Sequence, residues 1–132
     1  MTGSEQFEYW LELCDDDLIT AKALLEKNRF LHMGFFCHLI VEKALKAFFA
    51  SQNDEPPPKV HNLLTLAKQS GLDTNLSEQQ FELLEKLNPL NIEARYPAHK
   101  DKIAAALTQE TCQMLYTETE EFLCWIKKWL DK

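Results

Sequence analysis

Apolar residues return along this chain at intervals of three and four. Phe7, Leu11, Cys14, Leu18, Ala21 and Leu25 keep one seam through about six helical turns, with acidic and polar residues between them. The Thr2-Gly-Ser-Glu5 opening has the Thr-x-x-Glu form of a capping box, and Asp15, Asp16 and Asp17 read as a solvated face, since consecutive helical residues point apart. Asn28 and Arg29 break the seam. A second helix is predicted over about residues 30–52, apolar around most of its circumference, which makes it the central element. Its polar stripe is His38, Glu42 and Lys46, each one turn after the last, with Lys43 beside it. Such a stripe must face water, a partner or a site.

Pro56-Pro57-Pro58 is a stiff extended connector. A short helix is expected over about 61–69 with Leu63, Leu66 and Ala67 inward, His61 at its start bonding backbone, and Gly71 as its stop. Ser77-Glu-Gln-Gln80 is a capping box that opens a fourth helix built on Phe81, Leu84 and Leu87. Pro89 lacks a donor and crowds the carbonyl of Glu85, so either a kink or a restart with Asn88 as cap is expected there. Pro97 disfavours the helical region for Tyr96, which predicts that the fourth helix ends at about Arg95 and leaves His99 in a loop running to Leu107. The last helix, from about 108 to 130, carries Cys112, Leu115, Thr119, Phe122, Ile126 and Trp129 inward. Nothing alternates with period two. The predicted fold is all-α: one domain over residues 1–132, an antiparallel up-and-down bundle of four long helices plus one short helix.

A domain of 132 residues buries roughly 70% of its unfolded surface, enough for a core without staples. The net charge of -7 argues against a broad phosphate-neutralising surface, though not against a local basic site. Cys14, Cys37, Cys112 and Cys124 lack metal-ligand spacing, so no metal or other cofactor is expected; the first three read as small core residues. Reduced thiols and a start without a signal-like segment suggest a cytoplasmic protein. The most apolar run, 33–50, contains His38, Glu42, Lys43 and Lys46, so no membrane association is expected. The chemistry gathers late in the chain. Arg95, His99, Lys100 and Lys102 put four basic residues within eight, which favours phosphate. Arg95 in a last helical turn can reach a carboxylate, for which Glu42 is the obvious partner. The plain alternative is a structural Arg95–Glu42 ion pair and a surface histidine at 99.

The segments "LIVEKALKAFF" (39–49), "HNLLTLA" (61–67), "EARYP" (93–97) and "TEEFLCWIKKWL" (119–130), in this order and spacing, resemble a HEPN domain of the prokaryotic stand-alone type, a higher-eukaryote and prokaryote nucleotide-binding family. The resemblance implies a helical bundle, a homodimer, and a small nucleotidyltransferase as partner in a toxin-antitoxin-like system. It also implies a ligand that is a nucleotide or RNA. Many members are metal-independent ribonucleases whose motif is an arginine, four to six residues, then a histidine, with a polar or acidic residue on helix two. Here Arg95 and His99 would be the catalytic pair, but only Tyr96, Pro97 and Ala98 separate them. The reading therefore favours a binding module without efficient catalysis of its own, using Glu42, Lys46, Arg95, Lys100 and Lys102. The ribonuclease using Arg95 and His99 stands second, and a purely structural interaction bundle third.

Overall fold

A computed structural model describes the backbone of residues 3–92 and 97–130, and the side chains of residues 5–91 and 101–130. Among the described residues every regular element is helical. The order is α1 (Gly3–Glu26), α2 (Phe30–Gln52), α3 (Leu63–Gln69), a 3-10 turn (Asp73–Asn75), α4 (Glu78–Leu87), α5 (Pro89–Ile92), α6 (Pro97–Ala106) and α7 (Gln109–Leu130). The all-α bundle expected from the periodicity is the observed fold. Thr2, the predicted first cap, lies outside the described residues.

Helices α1, α2 and α7 are 24, 23 and 22 residues long and build the body of the bundle. The helix α2 lies at its centre: it packs against α1, α3, α4, α5, α6 and α7, and its apolar circumference is covered by them. The largest exposed apolar side chains, Tyr9, Ile19, Phe81 and Met114, belong instead to α1, α4 and α7. Helices α1 and α2 are antiparallel, with Asp17 paired to Lys43 and Trp10 beside Lys46. Phe48 meets Trp129 edge-on at a centroid distance of 6.1 Å, and Cys37 lies beside Thr119, so α2 and α7 run the same way.

Two helices end in the same device. After α3, Gly71 adopts a φ of 81°, its N–H donates to the Lys68 carbonyl, and the Leu72 N–H reaches back to Ala67. After α1, Asn28 does this at a φ of 57°, with bonds from Asn28 to Leu25 and from Arg29 to Leu24. Both are Schellman motifs, which require a left-handed residue that glycine tolerates best and asparagine next.

The fourth long helix expected from the sequence is delivered in pieces. Ser77 and Gln80 form the predicted capping box, and α4 then runs to Leu87. Pro89 begins α5, its missing donor being harmless at a first helical position. Asn88 supplies a second function: its Oδ1 accepts from the Leu63 N–H at 2.8 Å and so caps α3, tying the two short helices together. On α4 the inward stripe is Leu83, Leu84 and Leu87, while Phe81 is 45% exposed, contrary to its predicted role.

The stretch after Pro97 differs most. It forms α6 rather than a loop, so His99 and Lys100 lie in a first helical turn and Lys102 in the second. A proline at the first helical position is pre-set for helix, and the alanines and lysines that follow are strong helix formers. The restriction on Tyr96 marks a helix start after it rather than a long loop.

Candidate functional site

The polar stripe of α2 is buried. His38 is fully enclosed, Glu42 is 5% exposed and Lys46 8% exposed. A charge in such a place must be partnered, and Glu42 is. Its Oε2 accepts from Lys46 Nζ at 3.0 Å, and its Oε1 lies 3.0 Å from His61 Nδ1 and 3.6 Å from His38 Nδ1. The Lys46 ammonium also sits 5.8 Å over the Trp10 ring of α1, so one face of the cation meets an aromatic cloud instead of water. Burial pushes the His38 imidazole down to about 4, against Glu42 and the His61 backbone, which favour its charged form. His38 is therefore neutral at pH 7, and Glu42 and Lys46 are the stripe's ion pair.

His61 stands in the segment just before α3, and its side chain is 59% exposed. The Glu42 carboxylate, as an ion, can only accept, so His61 Nδ1 must carry the hydrogen. The site thus runs from the buried Lys46 through Glu42 to a surface imidazole of fixed orientation. From sequence, His61 is a helix start bonding backbone. The actual helix start is Asn62, whose Oδ1 accepts from the Thr65 N–H, leaving the His61 ring free to turn toward α2. What could have pointed to it is the stripe itself, because an enclosed carboxylate needs donors from an element that covers it.

Of the predicted site residues, Glu42 and Lys46 are brought together. Lys102 is exposed on α6. The backbone of His99 and Lys100 is helical, while their side chains lie outside the described residues, as does Arg95 altogether. Nearby charges form further ties. Lys43 Nζ bonds Asp17 Oδ2 at 2.6 Å, both side chains largely buried, and Lys127 Nζ bonds Asp15 Oδ1 at 2.7 Å. Two of the three consecutive aspartates, Asp15 and Asp17, therefore pin α1 to α7 and α2 instead of forming a purely solvated face.

A groove of about 680 Å³ between α4 and α7 contains none of the predicted residues. Glu110, Glu118 and Glu121 line it, a field that repels phosphate. All four cysteines are free, and burial raises the Cys14 and Cys37 thiols to about 12 and Cys112 to about 11, so these three are inert core residues. Among the described residues no group of three or more His, Cys, Asp or Glu is placed to hold a metal ion, and no helix is long and apolar enough to cross a membrane.

A family model described as HEPN domain matches residues 7–129 of this chain. The chain belongs to the HEPN domain family. TT1696 from Thermus thermophilus has a similar crystal structure, with a TM-score of 0.78 at 20% sequence identity, over 93% of this chain and 97% of that one. That likeness supports the same helical fold for the HEPN domain described here. No curated protein matches the sequence.

Proposed function

We propose that this HEPN-domain protein is a homodimeric module that binds a nucleotide or RNA phosphate and works with a small nucleotidyltransferase in a toxin-antitoxin-like system, without efficient catalysis of its own. The observation that carries the binding reading is α6. In a chain of net charge -7, the first two turns of this helix hold His99, Lys100 and Lys102, and its first residue lies two positions past Arg95. The backbone N–H groups of a first helical turn are unpaired within the helix and favour an anion, and Lys100 and Lys102 add positive charge within the first two turns. An arginine, as at position 95, can offer two parallel donors to a phosphate or to a carboxylate. Each oxygen of Glu42 has two lone pairs, so the carboxylate held by Lys46 and His61 has capacity for Arg95 as well. Homodimerisation and the partner rest on family membership.

The ribonuclease reading stays second, and one observation favours it over the purely structural one. The backbone at His99 is helical, where a loop was expected, although the interval from Arg95 is still three residues.

The test is titration of a labelled oligoribonucleotide at two salt concentrations, followed by incubation of total RNA with and without EDTA. Binding that weakens with salt, is lost in Arg95→Ala and leaves the RNA intact is expected. Cleavage that persists in EDTA and disappears in His99→Ala would promote the ribonuclease. Absence of any binding would leave the structural bundle.

A further inference from the structure

We infer that His61, oriented by the buried Glu42, is a hydrogen-bond acceptor for a ribose hydroxyl of the bound ligand. The inference rests on the nucleotide or RNA reading above for the class of ligand. The geometry supplies the contact and its chemistry. With Nδ1 donating to Glu42 Oε1 at 3.0 Å, a neutral His61 carries its lone pair on Nε2, and the ring is 59% exposed while the carboxylate behind it is 6% exposed. The carboxylate cannot swing away, because Lys46 holds its other oxygen at 3.0 Å. Tautomer and ring direction are thus set from inside the protein, the arrangement in which a histidine presents a defined acceptor outward.

An acceptor backed by a carboxylate selects among the groups of a nucleotide. A phosphate oxygen offers only lone pairs and negative charge, and is disfavoured. Ribose hydroxyls and the amino groups of bases offer a hydrogen. The exposed ring edge also makes no demand for a particular base shape, which favours the hydroxyl common to every ribonucleotide.

The test compares oligouridylate with oligodeoxyuridylate of equal length by fluorescence anisotropy at pH 7.5, uracil having no amino group. The native protein is expected to bind the ribo-oligomer about tenfold more tightly. His61→Ala, checked by circular dichroism to remain folded because it also removes a donor from Glu42, should lower ribo-oligomer affinity far more than deoxy-oligomer affinity and so erase the difference between the two. Nitrogen-15 spectra of the histidine rings should show His61 protonated at Nδ1 in the native protein and a shifted tautomer balance in a folded Glu42→Gln variant. Equal affinity for the two oligomers overturns this inference alone. Equal loss of both on His61→Ala makes the residue a phosphate contact and overturns it too. No binding of either oligomer overturns the binding reading together with it.

Discussion

Breaking the Glu42–Lys46 pair is the sharpest test of the buried stripe. The side chains are 6% and 10% exposed and the N–O distance is 3.0 Å, so water cannot take over for a missing partner. Removing one member of such a pair typically costs about 3–5 kcal/mol, because the other is left as an uncompensated charge, whereas a surface pair is worth under about 1 kcal/mol. Lys46→Met keeps an unbranched apolar chain at the position and removes the charge, and His61 still donates to Glu42, so the low end of the range, about 3 kcal/mol, applies. Glu42→Gln leaves Lys46 without a counter-charge and replaces one of the two acceptor oxygens by an amide donor facing Lys46 or His61, so its cost is the larger. A chain of 132 residues unfolds with an entropy of about 0.28 kcal/mol/K, so about 3 kcal/mol lowers Tm by about 10 °C. The double variant loses both charges together and should fall short of the sum of the singles by at least about 1 kcal/mol. Urea and thermal unfolding of the native protein and the three variants, followed by circular dichroism, gives all these quantities. Single losses below about 1 kcal/mol, or a double variant equal to the sum, would refute the claim that the stripe is a desolvated, coupled pair.

Three further outcomes follow from other contacts. Asp17→Ala removes the largely buried partner of Lys43 between α1 and α2 and should cost about 1–2 kcal/mol in urea unfolding, against under about 1 kcal/mol for Asp15→Ala at the more exposed Lys127 contact. Gly71→Ala should cost about 1 kcal/mol in the same assay; an added Cβ meets nothing within 4 Å, so the whole effect is the left-handed backbone at a φ of 81°. His38 sets a pH dependence: its folded value near 4 lies below the ordinary 6.5, so between these values the unfolded chain binds more protons than the folded one. Stability from this group is complete above pH 6.5 and falls as pH drops toward 4, by up to about 3 kcal/mol, and the difference in unfolding free energy between the native protein and His38→Met across that window should show it.

What the sequence disclosed, and what it withheld, divides by distance along the chain. The α1 and α7 seams, the capping box at Ser77, the stop at Gly71 and the stripe of α2 are local patterns, readable because each is fixed by periods of three and four residues or by one backbone conformation. The seam of α1 does face inward, with Cys14 and Ala21 fully buried. The misreadings fall where two physical rules compete or where space brings distant residues together. Pro97 both restricts the residue before it and suits the first turn of a helix; the first effect taken alone turns α6 into a loop and moves His99 off its helix. Phe81 reads as inward because large aromatics bury the most area, yet the adjacent pair Leu83 and Leu84 set the inward face of α4.

The site shows the same division. Glu42 and Lys46 lie one turn apart and are legible from spacing. His61 lies 19 residues from Glu42, beyond a run of three prolines, and no periodicity connects them. A physical demand does: a carboxylate on the most apolar helix of the chain cannot be left without donors. Lys46 alone satisfies one oxygen, so a second donor must arrive from a covering segment, and the next segment to return over α2 is the one that begins with His61. Treating an enclosed charge as a requirement on the rest of the chain, instead of as a local feature, would have named His61 from sequence.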